Sequence, residues 1–209
     1  MKIHPITMLE RKIKELLKDV DVDGHGLTHA LRVRKLARKL AEDEEIDVEV
    51  VEAAALLHDL ARALRLEGDH AEVSAELAHQ LLEEVGFPEA KMNKVIEAIK
   101  GHRYTANMAP RSLEAAVLKD ADMLDALGAI GVLRAIAFGA TRGRSLYHFE
   151  DPFAEKRELD DDKYTLDHFY TKLLKLKKAM KTKRGRKEAE RRTRFLKAFL
   201  KELKTEIED

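Results

Sequence analysis

Apolar residues recur along this chain at spacings of three and four, and almost no stretch alternates with a period of two. That is the signature of amphipathic helices rather than strands. Ala, Leu, Glu, Lys and Arg, all good helix formers, dominate the composition. The pattern therefore predicts an all-α fold. A first helix over residues 6–19 places Met8, Leu9, Ile13, Leu16 and Leu17 on its inner side and stops before Asp21-Val22-Asp23-Gly24-His25-Gly26, a turn rich in breakers. A second, 27–41, carries His29, Val33, Leu36, Ala37 and Leu40 inward. A third, 48–66, capped by Asp47, is apolar on most sides and is expected at the centre.

Further on, Asp69-His70-Ala71-Glu72 reads as a capping box opening a fourth helix that ends at Gly86. Pro88 suits the first turn of a fifth running to His102. Ser112 caps a sixth, 113–127, in which Asp120, Asp122 and Asp125 interrupt an otherwise apolar face. Acids in such a place are costly to bury unless something positive meets them. A seventh helix, 130–138, ends at Gly139. Periodicity then lapses over residues 139–163, longer than most structureless connections. Arg142, Arg144, Tyr147 and His148 in that stretch can grip an anion. Two more helices, 166–180 and 187–207, form a hairpin split by Thr182-Lys183-Arg184-Gly185, with Leu173, Leu176, Phe195 and Phe199 packed inward.

Composition narrows the chemistry. The chain has 209 residues, enough for one substantial core, and neither cysteine nor tryptophan. Disulfides, zinc–thiolate sites, iron–sulfur clusters and cysteine nucleophiles are excluded. Metal binding falls to His, Asp and Glu. Lys plus Arg equals Asp plus Glu at 39 each, so no global field attracts nucleic acid. Locally, residues 172–197 are markedly basic, with Glu188 and Glu190 alone opposing. That run reads as a solvated hairpin face or as a docking surface. The apolar runs are too short for a membrane span and the N-terminus lacks a signal-peptide core, so a cytoplasmic protein with no membrane partner is expected. A charged fraction of 37% gives the flavour of a heat-adapted protein.

The third helix ends its apolar run in Ala53-Ala54-Ala55-Leu56-Leu57-His58-Asp59, two adjacent strong metal-ligand types. Helical neighbours point roughly 100° apart, so both meet one ion only from the edge of the buried stripe or where the helix is distorted. Alone, the pair reads as readily as a core histidine beside a solvated acid, and His29 as an ordinary core or surface histidine. Four spaced elements in order change the balance. Gly24-His25-Gly26-Leu27-Thr28-His29-Ala30-Leu31-Arg32-Val33, then His58-Asp59, then Lys119-Asp120-Ala121-Asp122-Met123-Leu124-Asp125-Ala126 together resemble the HD-domain superfamily of metal-dependent phosphohydrolases. Asp69-His70-Ala71-Glu72-Val73-Ser74-Ala75 and Ile96-Glu97-Ala98-Ile99-Lys100-Gly101-His102 resemble its intervening elements. The resemblance covers residues 16–139, and the tail opening with His168-Phe169-Tyr170 is similar to a subgroup of small HD hydrolases.

The resemblance implies an HD-type helical bundle over residues 1–140, a loop over the site at 141–163 and a helical extension at 164–209 packed on the core. It implies His29, His58, Asp59 and Asp122 as ligands of a divalent ion. Two imidazoles and two carboxylates suit manganese, iron, cobalt, nickel or zinc, and magnesium more weakly. His70 and His102 hold a second metal, as in related binuclear enzymes, or bond the phosphate and protonate a leaving group. Asp125, one turn past Asp122, orients or deprotonates water, or is a surface acid or a partner of the ligands. Some HD nucleotidases and alarmone hydrolases carry a Glu closely after the doublet, whereas this chain has Ala61-Arg62-Ala63. Arg62 points instead to phosphate binding or to an ordinary ion pair. His25 and Arg32 fit the pattern as braces.

The expectation is a phosphohydrolase that cleaves a phosphomonoester or phosphoanhydride of a nucleotide by metal-activated water, with Asp59, Asp125, His70 and His102 catalytic and Arg62, Arg142 and Arg144 on the substrate. The alternative is an HD scaffold that binds nucleic acid or a protein partner through its basic C-terminal helices. A di-iron oxygenase is a third reading. Oligomeric state stays open.

Overall fold

A computed structural model describes residues 3–20, 24–42, 44–102 and 110–208, so part of the turn read at 21–26 lies outside the described residues. Every regular element among them is helical. In order they are α1 (Pro5–Leu16), α2 (Leu27–Ala41), α3 (Val48–Leu57), α4 (Leu60–Ala63), α5 (His70–Glu84), α6 (Glu89–Gly101), α7 (Leu113–Asp125), α8 (Gly128–Thr141), α9 (Thr165–Thr171), a 3-10 helix (Leu173–Lys178) and α10 (Lys183–Glu208). They fall into two compact units, Met1–Asp122 and Met123–Asp209. The division comes after Asp122 rather than at residue 140, so α8 belongs with the C-terminal helices. No single helix among the described residues is long and apolar enough to cross a membrane.

In the first unit α3 is central. Every residue from Val50 to Leu57 is buried, and α1, α2, α5 and α6 all pack on it. The Ala53-Ala54-Ala55 run lets those neighbours approach closely. Asp47 caps α3 by accepting from the backbone of Glu49 and Val50. Glu52, the one acid among the buried residues of α3, accepts from Arg34 at 2.8 Å, and Arg34 also bonds Glu10. A single guanidinium thereby ties α1, α2 and α3. Helix α1 ends at Leu16, short of residue 19, and Leu16 turns outward while Leu17 takes its place in the core.

The helix expected over residues 48–66 is interrupted. It stops at Leu57, and the chain restarts as α4 after Asp59, whose φ −114° and ψ 21° are not helical. Tertiary contacts hold the interruption open: the Ser74 hydroxyl of α5 accepts from Ala61 N–H at 3.0 Å, and α4 packs on α5. Asp69 caps α5 by accepting from Ala71 and Glu72.

In the second unit α8 runs longer than 130–138 at both ends. Gly128 enters it at φ +72°, a conformation that favours glycine. Gly139, expected to end the helix, lies inside it because Thr165 packs against its backbone: a methyl there would sit 2.1 Å from Thr165 Oγ1. The aperiodic stretch after α8 is a folded loop. Asp151 accepts from three successive backbone N–H groups, those of Glu155, Lys156 and Arg157. Arg157 forks onto Asp167 of α9 at 2.6 and 2.8 Å. The expected helix 166–180 is α9 followed by the 3-10 helix. Its partner starts at Lys183 instead of 187, since the Thr182 hydroxyl accepts from Gly185 N–H and caps α10 where the sequence reads as a breaker. Ala189, Leu196 and Leu200 face inward, and Phe199 stacks on Phe169. Phe195 does not join them and is 47% exposed.

Candidate metal centre

The interruption after Leu57 gives the site its geometry. On a continuous helix His58 and Asp59 would diverge, but the non-helical backbone at Asp59 turns both side chains toward His29 of α2. The Nε2 atoms of His29 and His58 face each other at 3.2 Å. Asp59 Oδ2 lies 3.7 Å from the first and 3.9 Å from the second, and Asp122 Oδ1 lies 3.5 and 3.8 Å from them. A divalent ion at about 2.1 Å from each ligand would set its ligands about 3.0–3.4 Å apart. The separations run from 3.2 to 3.9 Å, most of them just above that range, so inward shifts of a few tenths of an ångström would complete a coordination shell.

A second group shares Asp59. Its other oxygen, Oδ1, lies 3.5 Å from His102 Nε2 and 3.8 Å from His70 Nε2. Asp59 thus stands between two imidazole pairs, one for each oxygen, and both sets have metal-ligand spacing. Asp59 Oδ1 is buried and has no hydrogen-bond partner. A buried carboxylate oxygen without a donor is expensive, and a cation supplies what it lacks.

The histidines are aimed by their own backbones. His58 Nδ1 meets the carbonyl of Ala55 at 3.0 Å, and His102 Nδ1 meets that of Ile99, the same three-residue step back on the preceding helix. With Nδ1–H donating, each ring turns Nε2 and its lone pair to the centre, which is how metal-binding imidazoles are oriented.

Electrostatics follow from this crowding. Burial pushes the Asp59 carboxyl up, yet His58, His102 and Arg62 together hold it well below the usual carboxylate range. Asp122 is lowered likewise, with His58 and His29 outweighing its desolvation. Burial works against the His58 proton, but Asp59 and Asp122 prevail and raise its pKa. Two ionised carboxylates among these imidazoles form a site ready to accept positive charge.

The site has a floor and a mouth. His29, His58 and His102 are nearly inaccessible, while Asp122 is 25%, His70 18% and Arg62 39% exposed. Arg62 approaches Asp59 Oδ2 at 3.8 Å and His70 Nε2 at 3.4 Å. His25 stands edge-on to His29 at 5.8 Å, the place of a brace. Three sequence candidates lie in the second unit with neighbours there. Asp125 is buried against Arg134 at 3.2 Å. Arg144 lies 3.6 Å from Asp162, and Arg142 and Arg144 both lie over the Phe138 ring.

Comparison with known proteins points the same way. The HD domain family profile matches residues 26–127. Bacillus subtilis YpgQ is 33% identical over 199 residues, spanning 93% of this chain and 90% of that protein. The crystal structure of YpgQ in complex with ADP is similar at a TM-score of 0.76 and 30% identity, with 97% of this chain and 94% of that one covered. An HD-superfamily hydrolase from Bacillus thuringiensis is similar at a TM-score of 0.74 and 34% identity, covering 96% and 95%.

Proposed function

From a chain that belongs to the HD superfamily, with the hydrolase fold of that family and a His/Asp cluster able to hold divalent metal, we propose a phosphohydrolase that cleaves a phosphomonoester or phosphoanhydride of a nucleotide. The observation that carries this reading is Asp59, buried between two imidazole pairs with an oxygen lacking any hydrogen bond. His29, His58, Asp59 and Asp122 would hold one ion, and Asp59, His70 and His102 a second. Bound metal supplies a lowered water pKa and charge to offset the phosphoryl oxygens. The two aspartates would bring the centre near neutral with one ion and leave it cationic with two, so in neither case is an anionic substrate repelled.

The residues at the mouth divide the remaining work. Arg62 offers a guanidinium to a phosphate arriving from solvent. His70, partly exposed beside it, is placed to pass a proton to a leaving oxygen where it holds no metal. The bound ADP of YpgQ supports a nucleotide as the substrate class. Asp125, Arg142 and Arg144 have partners in their own unit, and the assignment does not need them.

The test is metal-stripped protein assayed on nucleoside mono-, di- and triphosphates and an aryl phosphate. Manganese, magnesium, iron, cobalt, nickel and zinc are added back singly. Release of phosphate or pyrophosphate should require metal, and Asp59→Ala should abolish both hydrolysis and metal uptake. Full turnover without metal, or by Asp59→Ala, would overturn the reading.

A further inference from the structure

Lysines of the first unit mostly have acids beside them: Lys12 with Glu84, Lys14 with Glu10, Lys91 with Asp47 and Glu49, Lys94 with Glu114 and Lys100 with Glu72. The C-terminal segment differs. Residues 172–197 hold thirteen Lys and Arg against two Glu. Part of that charge is answered internally, since Arg191 and Arg192 share Glu188 and Arg186 bonds the carbonyls of Met180 and Lys181. Lys175, Lys177, Lys178, Lys183, Lys187, Arg194, Lys197 and Lys201 have no side-chain hydrogen bond or ion pair among the described residues.

Five of these lie on one face of α10. At 100° per residue, Lys183, Arg194, Lys201, Lys187 and Lys197 fall within about 40° of a single line running roughly 27 Å along the helix. All five are exposed, and Glu190 is the one acid on that face between Lys183 and Lys201. The arrangement costs the helix stability, because Lys183 with Lys187 and Lys197 with Lys201 are like charges one turn apart. With none of the five cations in an ion pair among the described residues, the counter-charge of this face is external and extended.

Phe195 narrows the partner. Its neighbours Leu196 and Phe199 turn inward, yet its ring is 47% exposed, about a third of a turn around the helix from the cationic line and one residue after Arg194. Cations in a row with a solvent-facing ring beside them are what an unpaired strand uses, phosphates on the cations and a base on the ring. We propose that the exposed face of α10 binds single-stranded nucleic acid, with Lys183, Lys187, Arg194, Lys197 and Lys201 on the phosphates and Phe195 stacked on a base. Unlike phosphate-ester hydrolysis, this involves no residue of the metal centre.

The test uses the full chain and a fluorescent oligouridylate of about 20 nucleotides, with a duplex of equal length and anionic phospholipid vesicles as further arms. Five phosphate contacts predict a log K against log salt slope of about −3.5, an affinity loss of roughly 100-fold between 50 and 200 mM salt. The variant K187E/R194E/K197E should weaken binding at least about tenfold and flatten the slope to roughly −1.4, with helix content and metal-dependent hydrolysis of an aryl phosphate unchanged. Phe195→Ala should cost about fivefold or more on the single strand and little on the duplex. No binding at low salt, wild-type binding by the triple variant, a Phe195→Ala variant that binds both nucleic acids as wild type does, or retention on vesicles alone would each overturn the proposal.

Discussion

Two buried aspartates, one in each unit, show what burial of a charge does and does not mean. Asp167 is 0% exposed and fully answered: Arg157 donates to both oxygens, Asp160 N–H adds a third bond at 2.7 Å, and the guanidinium lies over the Tyr164 ring. Asp59 is 7% exposed and answered by nothing at hydrogen-bond length. Its nearest groups are imidazole nitrogens and Arg62, at 3.5 to 3.9 Å. A carboxylate that staples a loop uses up its lone pairs on the protein; one kept for a ligand leaves them open. Burial alone would rank the two together, and donor geometry separates them.

The sharpest way to break this comparison is to exchange each carboxylate for its isosteric amide. Asp59→Asn keeps shape but removes a shared ligand and its charge, so metal-dependent turnover should fall on the order of a thousandfold or more, far beyond any change in melting temperature. Asp167→Asn should do the reverse. It takes the counter-charge from the half-buried Arg157 and puts an amide N–H₂ where a buried oxygen accepted, a loss of about 2–3 kcal/mol, or roughly 7 °C for a chain of this size. Activity should follow the folded fraction. Calorimetry with turnover on the same samples reads both effects. Replacing both partners, as Arg157→Met with Asp167→Leu, should recover most of the stability. If Asp167→Asn abolishes turnover in fully folded protein, the distinction between stapling and ligand-holding fails.

The same contrast explains what was legible in the sequence. Periodicity showed α2 and the central place of α3, because a helix apolar on most sides has nowhere else to go. The resemblance to the HD superfamily, carried by four spaced elements in order, singled out His29, His58-Asp59 and Asp122, and the structure brings their donor atoms together. The interruption that lets His58 and Asp59 share a centre was not legible, since it rests on a bond from Ala61 to Ser74, thirteen residues away. Nor was the use of both Asp59 oxygens, which depends on where α5 and α6 deliver His70 and His102. The Arg157–Asp167 staple joins two residues ten apart in an aperiodic stretch, so no pattern announces it. At Lys183-Arg184-Gly185 the glycine suggested an ending, but in the first turn of a helix glycine costs little and the hydroxyl of Thr182 decides.

Glu188 supplies the smallest and most easily tuned test, a carboxylate answered as fully as Asp167 but at the surface. Arg191 donates to both its oxygens, and Arg192 adds a third contact at 2.8 Å. The bond from Arg191 above all, with that from Arg192, outweighs partial burial and pulls its pKa from 4.5 to about 2. Because the folded value is the lower one, the ionised form stabilises the fold above pH 4.5, and that contribution fades as pH falls from there through about 2. Solvent screening of so open a group reduces the worth of the shift to about 1 kcal/mol. Glu188→Gln should therefore lower stability by that amount at neutral pH and match the wild type near pH 2, with denaturant titrations at several pH values as the readout. An equal gap at both pH values would mean that the arginines hold Glu188 by packing and not by charge. The answered carboxylates of the second unit would then need a different account from the one that sets Asp167 against Asp59.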